Sequence, residues 1–196
     1  PTFAKMAALS RQMNHFFSLW LPAFCAEKYP DTYTVFAGGD DFFLIGPWLQ
    51  TQKLAAEMRE QFRRYVAENA AITFSAGIAV IKPGLPPGKL SAYAEEALEA
   101  AKAYPANENE KRKQLGSKNS VCVYGQVVSW QQWSGIQEAF ERIGRLKEAY
   151  GLSTGFVYSM LQFCEQAEAE KGGDINAGMW RSRFAYRTRR YVVDKL

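Results

Sequence analysis

Two adjacent carboxylates, Asp40 and Asp41, follow a glycine pair in the stretch TYTVFAGGDDFFLIG, which covers residues 32–46. Gly38 and Gly39 permit positive φ angles, and because they lack a Cβ atom they let a polyphosphate come close to the backbone. Two carboxylates about 4 Å apart repel each other by about 1 kcal/mol in water. A Mg²⁺ ion removes this repulsion, since it binds carboxylate oxygens together with substrate phosphates. The pattern therefore predicts a metal site beneath a nucleotide triphosphate.

The same four residues also have a purely structural interpretation, and the residues alone leave both open. Gly and Asp are favoured in hairpin turns for conformational reasons. Side chains of adjacent strand residues point to opposite faces, so Asp40 and Asp41 reach one ion only where the turn relaxes that alternation. We expect one of the two to be the principal ligand.

The elements around this turn are predicted from the spacing of apolar residues and from turn residues. In chain order they are a helix over 4–25, strands over 32–37 and 42–46, a helix over 50–68, a strand over 71–81, a helix over 91–104 and a short strand over 120–125. One further strand in front would make this order β-α-β-β-α-β, which is ferredoxin-like and is also the palm of polymerases and cyclases. We therefore predict an α/β (α+β) palm whose first strand is missing from the chain.

The remainder of the chain has the apolar spacing of helices only. We divide the chain into a palm domain, residues 1–126, and a small all-α helical domain, residues 127–196, which we expect to be truncated. Arg183, Arg187 and Arg190 follow the i, i+4, i+7 spacing of one helix stripe. Such a stripe contacts nucleic acid or an acidic partner, or is a solvated helix face.

The composition is that of an ordinary globular protein. Of 196 residues, 47% are hydrophobic and 22% charged, and the net charge is +4. No apolar run approaches the ~20 residues that cross a bilayer, and no signal peptide is visible, so we expect a cytoplasmic protein without membrane contact. Cys25, Cys122 and Cys164 are widely spaced, which predicts reduced packing residues rather than disulfides or a thiolate metal site.

Several stretches together resemble one known family. They are YTVFAGGDDFFLIGPW, ITFSAGIAVIKP, YAEEALEAAK and GSKNSVCVYG in the palm, with MAALSRQMNHFFSLWL before it and SWQQW and MWRSRFAYRTRRY after it. This combination resembles the large subunit of type III CRISPR effector complexes, in particular the subtype III-A form. The resemblance covers nearly the whole chain.

The resemblance implies a cyclic oligoadenylate synthase that uses ATP with Mg²⁺ or Mn²⁺. Gly38, Gly39, Asp40 and Asp41 match the family's cyclase turn, so Asp40 and Asp41 would be the catalytic metal ligands. Ser75 could hydrogen-bond a nucleotide, or be a plain strand serine. Lys102 and Lys118 resemble phosphate-binding lysines of diguanylate cyclases, or are solvated.

The resemblance also implies partners: the other subunits of a type III CRISPR complex, the guide RNA and the target RNA. It suggests that Arg183, Arg187 and Arg190 dock on the small helical subunit or lie near the RNA. The family's leading palm strand, with its own metal-binding Asp, and its His-Asp nuclease domain have no counterpart in these residues. We therefore expect a fragment that is weakly active alone, and it stays open whether a second chain completes the palm.

Two other functions remain open. A diguanylate cyclase would perform the same chemistry on GTP. Its turn normally carries Glu and Phe after Gly-Gly-Asp, whereas this chain reads GGDDFF. A palm without activity would act as a scaffold between subunits.

Overall fold

The computed structural model describes residues 2–104 and 118–193. They belong to two compact units, residues 1–134 and 135–196. The first unit contains, in chain order, α1 (Phe3–His15), a π-helix (Phe16–Trp20), α2 (Leu21–Lys28), β1 (Tyr33–Gly38), β2 (Asp41–Ile45), α3 (Trp48–Tyr65), β3 (Ala76–Ile78), α4 (Pro87–Ala103), β4 (Ser120–Val123) and β5 (Gln126–Ser129). Helix α5 (Trp130–Tyr150) starts in the first unit, and the second unit continues with α6 (Thr154–Lys171), a 3-10 helix (Ile175–Met179) and α7 (Trp180–Tyr191).

The strands form two sheets. β1 and β2 are an antiparallel hairpin, and β3, β4 and β5 form a second sheet in that order. β3 runs parallel to β4, whereas β4 and β5 are antiparallel. The predicted α/β palm followed by helices is confirmed, with the order helix, hairpin, helix, strand, helix and strand that the apolar spacing indicated.

The strand predicted over 71–81 is much shorter in the structure, because side chains bind the backbone around its beginning. The indole N–H of Trp130 donates to the Phe74 carbonyl at 2.8 Å, and the Thr73 hydroxyl donates to the Lys118 carbonyl at 2.7 Å. These bonds tie the segment before β3 to its neighbours without strand pairing. Only Ala76–Ile78 pair with β4.

The predicted last strand is followed by a strand that the sequence analysis missed. Val123 pairs with Gln126, so Tyr124 and Gly125 form a two-residue loop. Their φ angles are 53° and 72°, and positive values at both positions are typical of a type I′ hairpin turn. β5 therefore belongs to the first unit, whose limit at residue 134 lies beyond the predicted division at 126.

Two clusters of buried side chains form the core of the first unit, and α3 contributes to both. The first contains Phe16, Phe17, Leu21, Cys25, Tyr29, Leu54, Met58 and Phe62. The second contains Ala55, Ala76, Ile78, Val121, Val123, Trp130 and Trp133.

Helix α4 lies directly on β3 because Gly77 has no side chain. A Cβ atom on Gly77 would be 2.2 Å from the Leu98 nitrogen and 2.7 Å from the Ala94 carbonyl oxygen. Real Cβ atoms do not come this close to backbone, so only glycine fits. This contact fixes the distance between helix and sheet near the middle of α4.

The cysteines are free, and two of them are buried as predicted. Burial raises the pKa of the Cys25 thiol and also that of Cys122, which suits inert packing residues. Cys164, in α6, is exposed to solvent, so the packing role predicted for it is wrong. Within residues 2–104 and 118–193, no helix is long and apolar enough to cross a membrane.

Candidate functional site

The glycine–aspartate turn closes the β1–β2 hairpin. Gly38 pairs with Asp41, so Gly39 and Asp40 form a two-residue loop. Gly39 has a φ of 65°, whereas the φ of Asp40 is negative. A positive φ at the first loop position alone is typical of a type II′ turn, which requires glycine there. Only Gly39 therefore uses the conformational freedom that the sequence analysis attributed to both glycines.

The two carboxylates of the turn belong to different backbone elements. Asp40 lies in the loop and Asp41 is the first residue of β2, so the alternation of a regular strand does not apply between them. Both side chains are exposed. Among the described residues neither carboxylate has a hydrogen-bond donor or an ion-pair partner, and both are therefore available to a ligand.

Aromatic packing holds the hairpin on the core immediately after the acidic pair. The ring of Phe42 stacks on Phe17 with centroids 5.2 Å apart and meets Phe74 edge-on at 6.3 Å. Phe17 is itself buried, with 2% of its surface exposed, and packs against Phe62 at 5.7 Å. The strand that begins at Asp41 is thereby attached to α3 and to the π-helix.

A polar contact from the first helix holds the loop itself. The side-chain oxygen of Asn14 accepts a hydrogen bond from the Gly39 N–H at 2.8 Å and another from the Ser18 hydroxyl at 2.8 Å. Neither Asn14 nor Ser18 was predicted to support the turn. A contact between residues 25 positions apart leaves no local pattern, so no sequence signal could have found them without the fold.

Lys102 is in the last turn of α4, where nearby carboxylates influence its pKa. The ammonium group of Lys102 donates a hydrogen bond to the Glu99 carboxylate at 2.9 Å, and this ion pair raises the pKa of Lys102. The charges of Asp41 and Asp40 raise this pKa further. The phosphate contact expected of Lys102 stays a prediction.

Ser75 and Lys118 are positioned through contacts with other elements. Ser75 is half-buried just before β3, and its hydroxyl lies 3.4 Å from that of Ser120, which donates to the Ala101 carbonyl at 2.6 Å. The Lys118 side chain is exposed, while its carbonyl accepts from Thr73. The nucleotide contacts expected of Ser75 and Lys118 stay predictions.

The arginine stripe belongs to the second unit. Arg183 and Arg187 line a cavity of about 300 Å³ between α6 and α7, together with Gln162, Phe163, Gln166 and Tyr186. The guanidinium of Arg187 lies 6.0 Å from the centre of the Phe163 ring, and Arg190 donates to the Tyr186 hydroxyl at 3.4 Å. All three arginines are exposed. Their expected contact with partner subunits or RNA stays a prediction.

The donor set at the turn fits a magnesium ion held jointly by protein and substrate. In the described residues no group of three or more His, Cys, Asp or Glu side chains could hold a metal. Mg²⁺ is commonly bound through one or two carboxylates plus substrate phosphates and water. Asp40 and Asp41 provide two carboxylates, so the pair fits an ion that a nucleotide brings with it.

Known proteins resemble this chain along most of its length. Residues 1–122 match the family model of the Cas10/Cmr2 second palm domain. A subtype III-A protein of Methanocaldococcus jannaschii, named CRISPR system single-strand-specific deoxyribonuclease Cas10/Csm1, is 32% identical over 66% of this chain and 18% of its own length. The Thermococcus onnurineus protein of the same name is 30% identical over 83% of this chain and 23% of its length.

A solved structure shows the same fold. The crystal structure of a Csm1-Csm4 cassette in complex with cA3 superposes with a TM-score of 0.63 at 22% sequence identity, covering 88% of this chain and 27% of that one. The chain spans about a fifth of the length of the curated relatives it matches. The match over residues 1–122 includes the Gly38–Asp41 turn and all of its supports described above. The chain therefore belongs to the Cas10/Cmr2 family, and its residues 1–122 are the second palm domain.

Proposed function

We propose that this chain carries the ATP site at which a type III CRISPR effector complex makes cyclic oligoadenylates. The observation that supports this most is the type II′ turn of a Cas10/Cmr2 palm, which leaves Asp40 and Asp41 side by side, exposed and unpaired among the described residues. Two carboxylates at this place suit a divalent cation that is bound together with a triphosphate.

The reaction joins ATP molecules 3′ to 5′. The 3′-hydroxyl of one ATP attacks the α-phosphorus of the next, a phosphodiester bond forms, and the bond to the departing pyrophosphate breaks. The same step between the two ends of an oligomer closes the ring. Mg²⁺ or Mn²⁺, held by Asp40 and Asp41, would neutralise the phosphate charge and orient the reacting oxygens.

The residues of the chain bind and orient the substrate. Gly39 has no heavy atom within 4 Å of the place where a Cβ would be, so the triphosphate can approach the backbone there. The ammonium group of Lys102 adds positive charge toward the phosphates, and the aromatic attachment of Phe42 keeps the carboxylates in place. Positioning of this kind contributes a large part of phosphoryl-transfer catalysis.

The relatives suggest the setting in which the site works. The neighbouring solved structure is a Csm1-Csm4 cassette with bound cA3, which supports an adenylate product and assembly with further subunits. We propose that this chain acts in the cytoplasm with such subunits, a guide RNA and a target RNA, and that Arg183, Arg187 and Arg190 face them. The relatives are named deoxyribonucleases, but we assign no DNA-cleaving residue to this chain.

Simultaneous substitution of Asp40→Ala and Asp41→Ala tests the proposal in the assembled protein with target RNA. We expect synthesis of cyclic oligoadenylates from ATP and Mg²⁺ to fall at least 100-fold, in the range seen for loss of groups that stabilise transition-state charge, while assembly is unchanged. The matched control is Glu95→Ala with Glu96→Ala, because these adjacent carboxylates on α4 are also exposed. The control should retain full synthesis.

The same assay distinguishes the alternatives. Product formed from GTP but not ATP would identify a guanylate cyclase instead. Unchanged synthesis in the double aspartate variant would refute the assignment of the turn. If neither nucleotide is turned over by the wild-type assembly, a scaffold without activity is the better interpretation.

A further inference from the structure

The side chain of Asn14 attaches the loop that carries Asp40 to the first helix. Asn14 is in the last turn of α1, and its side-chain oxygen accepts from the Gly39 N–H at 2.8 Å. The second hydrogen bond to this oxygen, from the Ser18 hydroxyl at 2.8 Å, holds the amide in that orientation. Ser18 belongs to the π-helix, and π turns within helices are frequently found at functional sites.

We propose that Asn14 is a positioning residue that fixes the conformation of the Gly39–Asp40 loop, with Ser18 orienting its amide. The inference rests on the proposed function, since the loop it fixes is the proposed metal and nucleotide site. Asn14 acts through the backbone of Gly39, and its role does not require that it touch the substrate.

Apart from the pairing of Gly38 with Asp41, the backbone of the loop has little steric restraint of its own. The peptide between Gly38 and Gly39 has a glycine on both sides, so it rotates with little steric resistance. Rotation of this peptide changes the φ of Gly39 and displaces the residue that follows, Asp40. A hydrogen bond to the Gly39 N–H opposes this rotation directly.

The residues directly after α1 anchor the helix that carries Asn14 to the core. The next two residues after α1, Phe16 and Phe17, have 1% and 2% of their surface exposed. Their rings meet at 5.1 Å, and that of Phe16 also packs edge-on against Phe62 at 5.1 Å. The Tyr65 hydroxyl additionally donates to the Gln12 carbonyl at 3.0 Å, which joins α1 to α3.

Two variants with nearly the same side-chain shape as Asn14 test whether its side-chain oxygen is the group that matters. Asn14→Leu removes the acceptor, whereas Asn14→Asp keeps an oxygen at that position. Gln12→Ala is the matched control, because it deletes an exposed amide from the same helix and leaves its backbone carbonyl in place. Far-UV circular dichroism and the thermal midpoint confirm that each variant is folded.

The first measurement is hydrogen exchange of the Gly39 amide, resolved to the single residue, in the full protein without nucleotide. We expect exchange to be roughly threefold to tenfold faster in Asn14→Leu, as for loss of one hydrogen bond, and within about twofold of wild type in Asn14→Asp and Gln12→Ala. The second measurement is oligoadenylate synthesis. Asn14→Leu should lower kcat by about tenfold with a smaller change in the KM for ATP, because misplacement of a reacting group affects mainly the chemical step.

Unchanged exchange at Gly39 in Asn14→Leu would overturn the inference, and so would equally fast exchange in Asn14→Asp and Asn14→Leu. A loss of synthesis in Asn14→Leu without faster exchange would also overturn it, since Asn14 would then act on the substrate. Failure of the proposed function is recognised separately. It appears as intact synthesis after substitution of Asp40 and Asp41, and it leaves the exchange result for Gly39 unaffected.

Discussion

The two glycines of the turn should respond very differently to the same substitution. Gly39 has a positive φ of 65°, but nothing lies within 4 Å of an added Cβ. The cost of Gly39→Ala is therefore conformational and amounts to about 1–3 kcal/mol, the range for a non-glycine residue in a sparsely populated backbone region. If the loop relaxes to avoid this strain, the population with correctly placed carboxylates falls by about fivefold to 150-fold.

Gly38→Ala is the matched substitution one residue earlier. Gly38 lies in β1 with an ordinary φ, and its added Cβ would meet only the Ser18 hydroxyl oxygen, at 3.8 Å. A Gly to Ala change at an unstrained position stabilises a protein by about 0.4–1 kcal/mol through the unfolded state. We therefore expect the thermal midpoint of Gly38→Ala to be equal to or above that of the wild type, with synthesis close to normal.

The assay compares oligoadenylate synthesis and thermal unfolding for both variants in parallel. Gly39→Ala should lose at least fivefold in synthesis and Gly38→Ala less than about twofold, from the strain argument above. Equal loss in both would refute the reasoning, because it would mean that the ligand needs the space at Gly38 rather than the φ of Gly39. Full synthesis in Gly39→Ala would refute it as well, since the turn would then not depend on a positive φ.

Two further predictions concern the elements behind the turn. Gly77→Ala should lower the free energy of unfolding by about 3 kcal/mol or more, at the upper end of the cost of overpacking, because the Cβ would be 2.2 Å from the Leu98 nitrogen. Denaturant titration measures this loss of stability. A loss below about 1 kcal/mol would show that α4 can move off β3. Lys102→Gln should raise the KM for ATP by roughly threefold to tenfold, as for one charge-assisted contact, and the difference should shrink at high salt. Lys89→Gln, an exposed lysine at the other end of α4, is its control, and an equal increase in KM there would contradict the role of Lys102.

The hairpin and its acidic turn were predictable because their signals are local. A glycine pair between apolar runs indicates a two-residue hairpin loop, and the structure has one, with Gly38 paired to Asp41. The helices were equally predictable, since α3 buries Leu54, Met58 and Phe62 on one face. In the hairpin and in the helices, the residues that determine the secondary structure lie within the segment itself.

Features that depend on distant partners were not predictable. The strand over 71–81 has a convincing alternation of apolar residues, yet its pairing is limited by the indole of Trp130, which binds the Phe74 carbonyl from 56 residues away. β5 was missed because its four residues have little pattern of their own and depend on β4. The hydrogen bond between Asn14 and the turn also joins distant parts of the sequence. The acidic pair was therefore predictable, whereas the side chain that supports it was not.

The five-residue π-helix has a consequence for insertions and deletions in this family member. Its wider turn brings the Leu21 N–H to the Phe16 carbonyl, one residue further than in an α-helix. Deletion of one residue here would restore regular α-helical winding, and because the wide turn holds its extra residue within a single turn, the helix on either side would keep nearly the same rotation about its axis. Asn14 would then still face Gly39. A one-residue deletion that no such turn absorbs would instead rotate Asn14 by about 100° about the helix axis, so we expect the hydrogen bond to Gly39 to tolerate a length change within Phe16–Trp20 better than one at the α-helical residue between Asn14 and the π-helix.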